Sequence, residues 1–136
     1  MIKPIMKSEF FLRLPSEDAG PDDAATGQDL LDTLHEHEHE CVGLAANMIG
    51  VRKRIICVKD NSKSLLMYNP QILEQVNAYQ TSEGCLSLAG ERPCTRYRRI
   101  KVEYLDENFV HRIKNFSGYT AEIIQHEIDH CNGVVI

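Results

Sequence analysis

The sequence has 136 residues, 43% apolar and 26% charged, which suits one soluble domain with its own core and excludes a disordered chain. A net charge of -5 leaves no electrostatic footprint for nucleic acid, and no apolar run is long enough to span a bilayer. Five cysteines (41, 57, 85, 94, 131) lack framework spacing and "MIKPIMKSEFFLRLP" lacks a signal-peptide h-region, so a reduced cytoplasmic protein is expected.

In chain order, "SEDAGPDDAATG" (16–27) reads as a polar loop too short to divide domains. Leucines 30, 31 and 34 predict a helix over about 27–40. "GLAANMIG" (43–50), small residues between glycines, implies backbone packed closely against something. "RIICVKD" (54–60) and "SLLMYNPQILEQ" (64–75) read as strands. "RIKVEYLDENFVHRIKNFSG" (99–118) reads as a hairpin turning at Asp106-Glu107-Asn108. The basic run "TRYRRIK" (95–101) falls within this strand-like alternation and reads as a solvated face. "TAEIIQHEIDHCNG" (120–133) predicts a second long helix, with Thr120 or Ser117 as N-cap and Gly133 as the stop. The expectation is a single α+β domain over 1–136, with the last helix packed on sheet.

Two segments match H-E-x-x-H: His35-Glu36-x-x-His39 and His126-Glu127-x-x-His130. Each would place two histidines on one helix face, close enough to share an ion, so spacing alone does not separate them. The helical wheel does. With Leu30 at 0° and about 100° per residue, Leu34 and Leu31 mark the core side, while His39 falls near 180° and Glu36 near 240°. That pair is read as a solvated helix end. On the last helix, with His126 at 0°, His130, Glu127 and Ile123 share its apolar side, while Gln125, Asp129 and Glu122 gather between about 260° and 320°. Two imidazoles and a carboxylate buried there need partners or a cation. They are either core histidines satisfied by hydrogen bonds or two ligands of a metal, and the metal reading is preferred. A catalytic site of that kind needs a third protein ligand, for which "SEGCLSLAG" (82–90) offers Cys85 at a strand edge.

Taken together, "GLAA" (43–46), "EGCLS" (83–87) and "QHEIDH" (125–130), in this order and at these separations, resemble the peptide deformylases. The similarity runs through nearly the whole chain and implies a compact α+β fold, with antiparallel or mixed sheets packed around a central C-terminal helix that carries His126 and His130. It implies one divalent metal ion per chain, held by Cys85, His126 and His130, with ferrous iron the usual native ion and zinc, nickel or cobalt as substitutes. It implies Glu127 as general acid and base, and the Leu86 N–H as a donor to the oxyanion. Gly43 would lie against the substrate backbone, with Val42, Tyr119 and Ile123 lining an apolar pocket. The wheel places Tyr119 and Ile123 on the ligand face. The substrate implied is the N-formyl-methionyl end of nascent polypeptides at the ribosome, with no specific nucleic acid or membrane partner and a monomeric enzyme. Glu83 resembles a family glutamate that pairs with a downstream arginine, for which Arg96 is the candidate.

Two positions depart from the family's G-x-G-x-A-A-x-Q motif: Cys41 replaces its first glycine and Met48 its glutamine. That glutamine donates to the oxyanion, which a thioether cannot do. Loss of one such donor costs on the order of 10²–10³ in rate. Asn47 carries an amide but is one residue out of place. Many members also carry a further C-terminal segment, which is not expected beyond Ile136. A working deformylase and a deformylase-like metal-binding protein with little or no turnover both remain open. An H-E-x-x-H endopeptidase is disfavoured, since such sites do not draw a ligand from an E-G-C-L-S segment.

Overall fold

The computed structural model describes residues 1–136 and contains three α-helices and five strands. A single turn, α1 (Glu9–Leu12), is capped by the Ser8 side chain. The predicted 27–40 helix is instead α2, Ala24–Glu36, shifted toward the N-terminus. It starts early because a 3-10 turn at Pro21–Asp23 feeds it, with the Asp23 carboxylate accepting from the Gly20 N–H at 2.9 Å. It stops early because "HEHEHE" offers no apolar residue to the core and sets carboxylates at the negative end of the helix dipole.

The strands are β1 (Gly43–Ala45), β2 (Ile55–Asp60), β3 (Lys63–Glu83), β4 (Arg92–Leu105) and β5 (His111–Ser117). They form one sheet in the order β1-β2-β3-β4-β5, every pair antiparallel. The mixed alternative is not realised. β3 runs well past the predicted end at Gln75, and β4 begins seven residues before the predicted Arg99. The added lengths pair with each other as a largely exposed ribbon, so they lack the apolar alternation that marks a half-buried strand. Irregular register between Tyr68 and Ile72 lets β3 serve both halves of the sheet. Asn69, at φ 53°, sits in this kink and exchanges two hydrogen bonds with the Ala19 backbone, at 2.7 and 2.9 Å.

The last helix, α3, spans Gly118–Cys131 with Ser117 at the N-cap position and Gly133 just beyond its end. It packs against β1, β2 and β4 and is buried on nearly every side. Gln125, predicted on the polar side, is buried as well. Its amide accepts from the Tyr97 N–H at 2.8 Å and donates to the Tyr97 carbonyl at 2.9 Å, so β4 covers that side through matched polar bonds. No helix is long and apolar enough to cross a membrane.

Candidate active site

One turn of α3 presents His126, Glu127 and His130 to the interior, where Glu127 is 4% exposed and His130 fully buried. β1 passes directly over this turn. A Cβ at Gly43 would stand 2.7 Å from Ile123 Cγ2 and 3.0 Å from Glu127 Oε2, so only glycine allows the two backbones this approach. Cys85 comes from the third direction. It lies two residues beyond the end of β3, in the loop before β4, rather than at a strand edge as predicted. A cavity of about 520 Å³ opens between these parts, walled by Gly43, Met48, Cys85, Leu86, Ile123 and Glu127.

The two imidazoles converge, with Nε2 of His126 3.1 Å from Nε2 of His130. His126 is held from behind: its Nδ1 bonds Glu83 Oε1 at 2.7 Å, which turns Nε2 toward the cavity. Glu83 in turn receives Arg96 at 2.7 Å, and Arg96 reaches Asp129 at 2.7 Å. The Glu83–Arg96 pair expected from sequence is therefore present, and it also orients a site histidine. Arg96 is the exception to the solvated reading of "TRYRRIK", being 4% exposed.

Burial shapes the protonation states. It raises Glu127 to about 7, with the His126 charge opposing. It lowers His130 to about 3, aided by His126, which leaves that ring neutral with a free lone pair. Burial pushes the Cys85 thiol up, but the bond to His126 and the Leu88 and Ser87 N–H groups outweigh it and hold the thiol below its ordinary value. His126 shows the opposite balance: burial opposes its charge, yet Cys85 and Glu83 raise it to about 10. Glu127 Oε1 and His130 Nδ1 are buried without a hydrogen-bond partner. Cys85, His126 and His130 do not close into a three-ligand cluster in this conformation. Their chemistry nonetheless fits a cation: a thiol eased toward thiolate, a neutral imidazole, and converging ring nitrogens that repel unless a proton or ion lies between them.

The other predicted residues fall as follows. Val42, Tyr119 and Ile123 line the cavity, Val42 and Tyr119 at its exposed mouth and Ile123 in its buried wall. Met48 is 1% exposed, and its sulfur lies 3.5 Å from the Ala45 N–H. Asn47 points away and donates to the His130 carbonyl at 2.9 Å. His35 and His39 are exposed, and His39 lies beyond the end of α2, so the first H-E-x-x-H is not a helical pair at all. Sequence reasoning missed Glu122, which lines the cavity and is raised to about 7, first by its hydrogen bond to Glu83 and then by burial. The signal was its place four residues before His126, about 40° away on the wheel.

A cysteine loop facing a helix-borne His-Glu-x-x-His pair across a pocket is the layout of a hydrolytic site built on one helix. The family model described as Polypeptide deformylase matches residues 6–136, and the chain belongs to that family. It is 49% identical over 136 residues to the peptide deformylase of Clostridium beijerinckii, covering 100% of both chains. It is 39% identical over 111 residues to peptide deformylase 1 of Clostridium perfringens, covering 79% of this chain and 74% of that one. Among solved structures, the actinonin-bound class I type b peptide deformylase of Acinetobacter baumannii superposes with a TM-score of 0.88 at 30% identity, over 99% of this chain and 95% of that one. The Thermotoga maritima peptide deformylase gives 0.89 at 28% identity, over 99% and 95%.

Proposed function

We propose that this protein hydrolyses the N-formyl group from the N-terminal methionine of nascent polypeptides, releasing formate and a free amine. One divalent ion per chain is held by Cys85, His126 and His130, with ferrous iron as the resident ion and zinc, nickel or cobalt as substitutes. When bound, that ion supplies Lewis acidity, activating a water and polarising the formyl oxygen.

The rest of the chemistry belongs to the chain's own residues. Glu127 takes a proton from the attacking water and returns it to the departing amine nitrogen as the C–N bond breaks. A carboxyl raised to about 7 is suited to both halves of that transfer. The Leu86 N–H, which has no acceptor within the protein, donates to the formyl oxygen as it gains charge. Gly43 lets the substrate backbone lie close, and Val42, Tyr119 and Ile123 receive the methionine side chain. Glu83 keeps His126 in the tautomer that faces the site. We place the protein in the cytoplasm, acting as a monomer on chains at the ribosome, with no specific nucleic-acid or membrane partner.

The observation that carries this reading is Glu127, buried, unpaired at Oε1 and set on the cavity wall beside the two histidines. A protein that only bound a metal would have no use for that carboxyl. Met48 is the one observation on the side of a binding protein without turnover. The test is formate release from a formyl-methionyl tripeptide by anaerobically prepared protein, with metal measured on the same sample. Glu127→Ala should retain the metal and release no formate. Substantial activity in that metal-loaded variant would assign the proton transfer to another group.

A further inference from the structure

The loop 84–91 carries Cys85 and Leu86, yet it has no regular structure and no backbone hydrogen bond to the rest of the chain. Gly84 and Gly90 flank it, Gly90 at φ 83°, so its own backbone does little to hold it still. Two side chains reach it from outside. One is His126, which shares the cavity wall with Cys85. The other is Lys7, whose Nζ donates to the Leu86 carbonyl at 2.6 Å across 79 positions of sequence.

The neighbouring residue makes a parallel contact: the Met6 N–H donates to the Met48 carbonyl at 2.7 Å. Two consecutive residues of the N-terminal segment thus tie down two cavity-wall residues, Leu86 and Met48. Since Met48 offers no donor, donation to the oxyanion falls to the Leu86 N–H alone on the protein's side. The Lys7 bond is solvent-exposed, yet its donor is charged, and it holds the carbonyl of the residue whose N–H faces this task.

We propose that Lys7 is a positioning residue, which pins the 84–91 loop so that the Leu86 N–H is aimed into the cavity before substrate arrives. The kinetic part rests on the deformylase reading, whereas the structural part stands without it. The test compares wild type with Lys7→Met, which keeps the apolar stem and removes the donor, and Lys7→Arg, which keeps a charged donor. Backbone ¹⁵N order parameters over 84–90, measured on the zinc-loaded protein, should fall in Lys7→Met and return toward wild type in Lys7→Arg. For formyl-methionyl peptide, kcat should fall about 10-fold in Lys7→Met while KM stays within about two-fold, as expected when a transition-state donor is misaimed. Metal content and thermal midpoint should not change, and Lys7→Arg should recover most of the rate. Unchanged loop order parameters in Lys7→Met would overturn the proposal. So would a kcat loss that Lys7→Arg shares in full. A wild type that releases no formate would defeat the deformylase reading, and the loop order parameters would still decide the role of Lys7.

Discussion

Met48 shows how much one side chain decides. Buried at 1% exposure, it accepts weakly from the Ala45 N–H through sulfur and gives the cavity no donor. Its neighbours do not compensate. The Asn47 amide is committed to the His130 carbonyl, and the Cys41 thiol, raised to about 12 chiefly by burial, stays neutral and donates to the Gly43 carbonyl at 3.0 Å. A glutamine at position 48 could accept from Ala45 with its oxygen and leave its NH₂ for the oxyanion. Met48→Gln should therefore raise kcat on formyl-methionyl peptides, by up to about 10²-fold, with little change in KM or metal content. Both constants measured at matched metal occupancy check this. No gain beside a robust wild-type rate would mean that the metal and the Leu86 N–H already suffice. At this scale much was legible in the sequence: Asn47 was expected to point elsewhere and Glu83 to meet Arg96. The bond from Glu83 to His126 was not legible, because no spacing rule links a strand end to a helix face 43 residues away.

The elements explain why two copies of one motif have different fates. The first lies where α2 ends and water begins. The second lies on a helix that three strands cover. Replacing His35 and His39 together should leave one metal ion per chain, whereas Cys85→Ala, His126→Ala or His130→Ala should each lose it on dialysis, read by elemental analysis. Metal loss from the His35/His39 double variant would move the site. The wheel sorted the two helices correctly because burial of one apolar stripe is a local property. It erred on Gln125, since whether a polar side is covered depends on a strand it cannot see. The strand limits were hidden for a related reason: the outer halves of β3 and β4 are held by ladder bonds and by contacts such as Arg98 over Tyr79, 4.6 Å from the ring centroid. Neither leaves a periodic trace.

Across the whole molecule, the N-terminal segment and the end of α3 are stitched together. The Ser16 N–H donates to the Cys131 carbonyl at 2.8 Å, and Gly133, at φ 76°, passes so close that a Cβ there would stand 2.4 Å from the Arg13 carbonyl oxygen. Gly133→Ala combines a left-handed backbone with a backbone clash, and should cost about 1–3 kcal/mol, a drop of several degrees in thermal midpoint. Differential scanning calorimetry checks it, and an unchanged midpoint would show that the turn rearranges freely. The α+β class was readable from the order of elements, and the central place of the motif helix from the family resemblance. The joining of the sheet into one continuous surface was not, because it depends on the kink at Asn69.

That central helix also follows all five strands in the chain. Until Cys131 has been added during synthesis, β2 and β4 lack the helix that packs against them, and Cys85 has no histidines opposite. Folding therefore waits for translation to reach the end of α3. An interrupted copy offers proteases and chaperones a bare sheet, and it never holds the complete set of site residues.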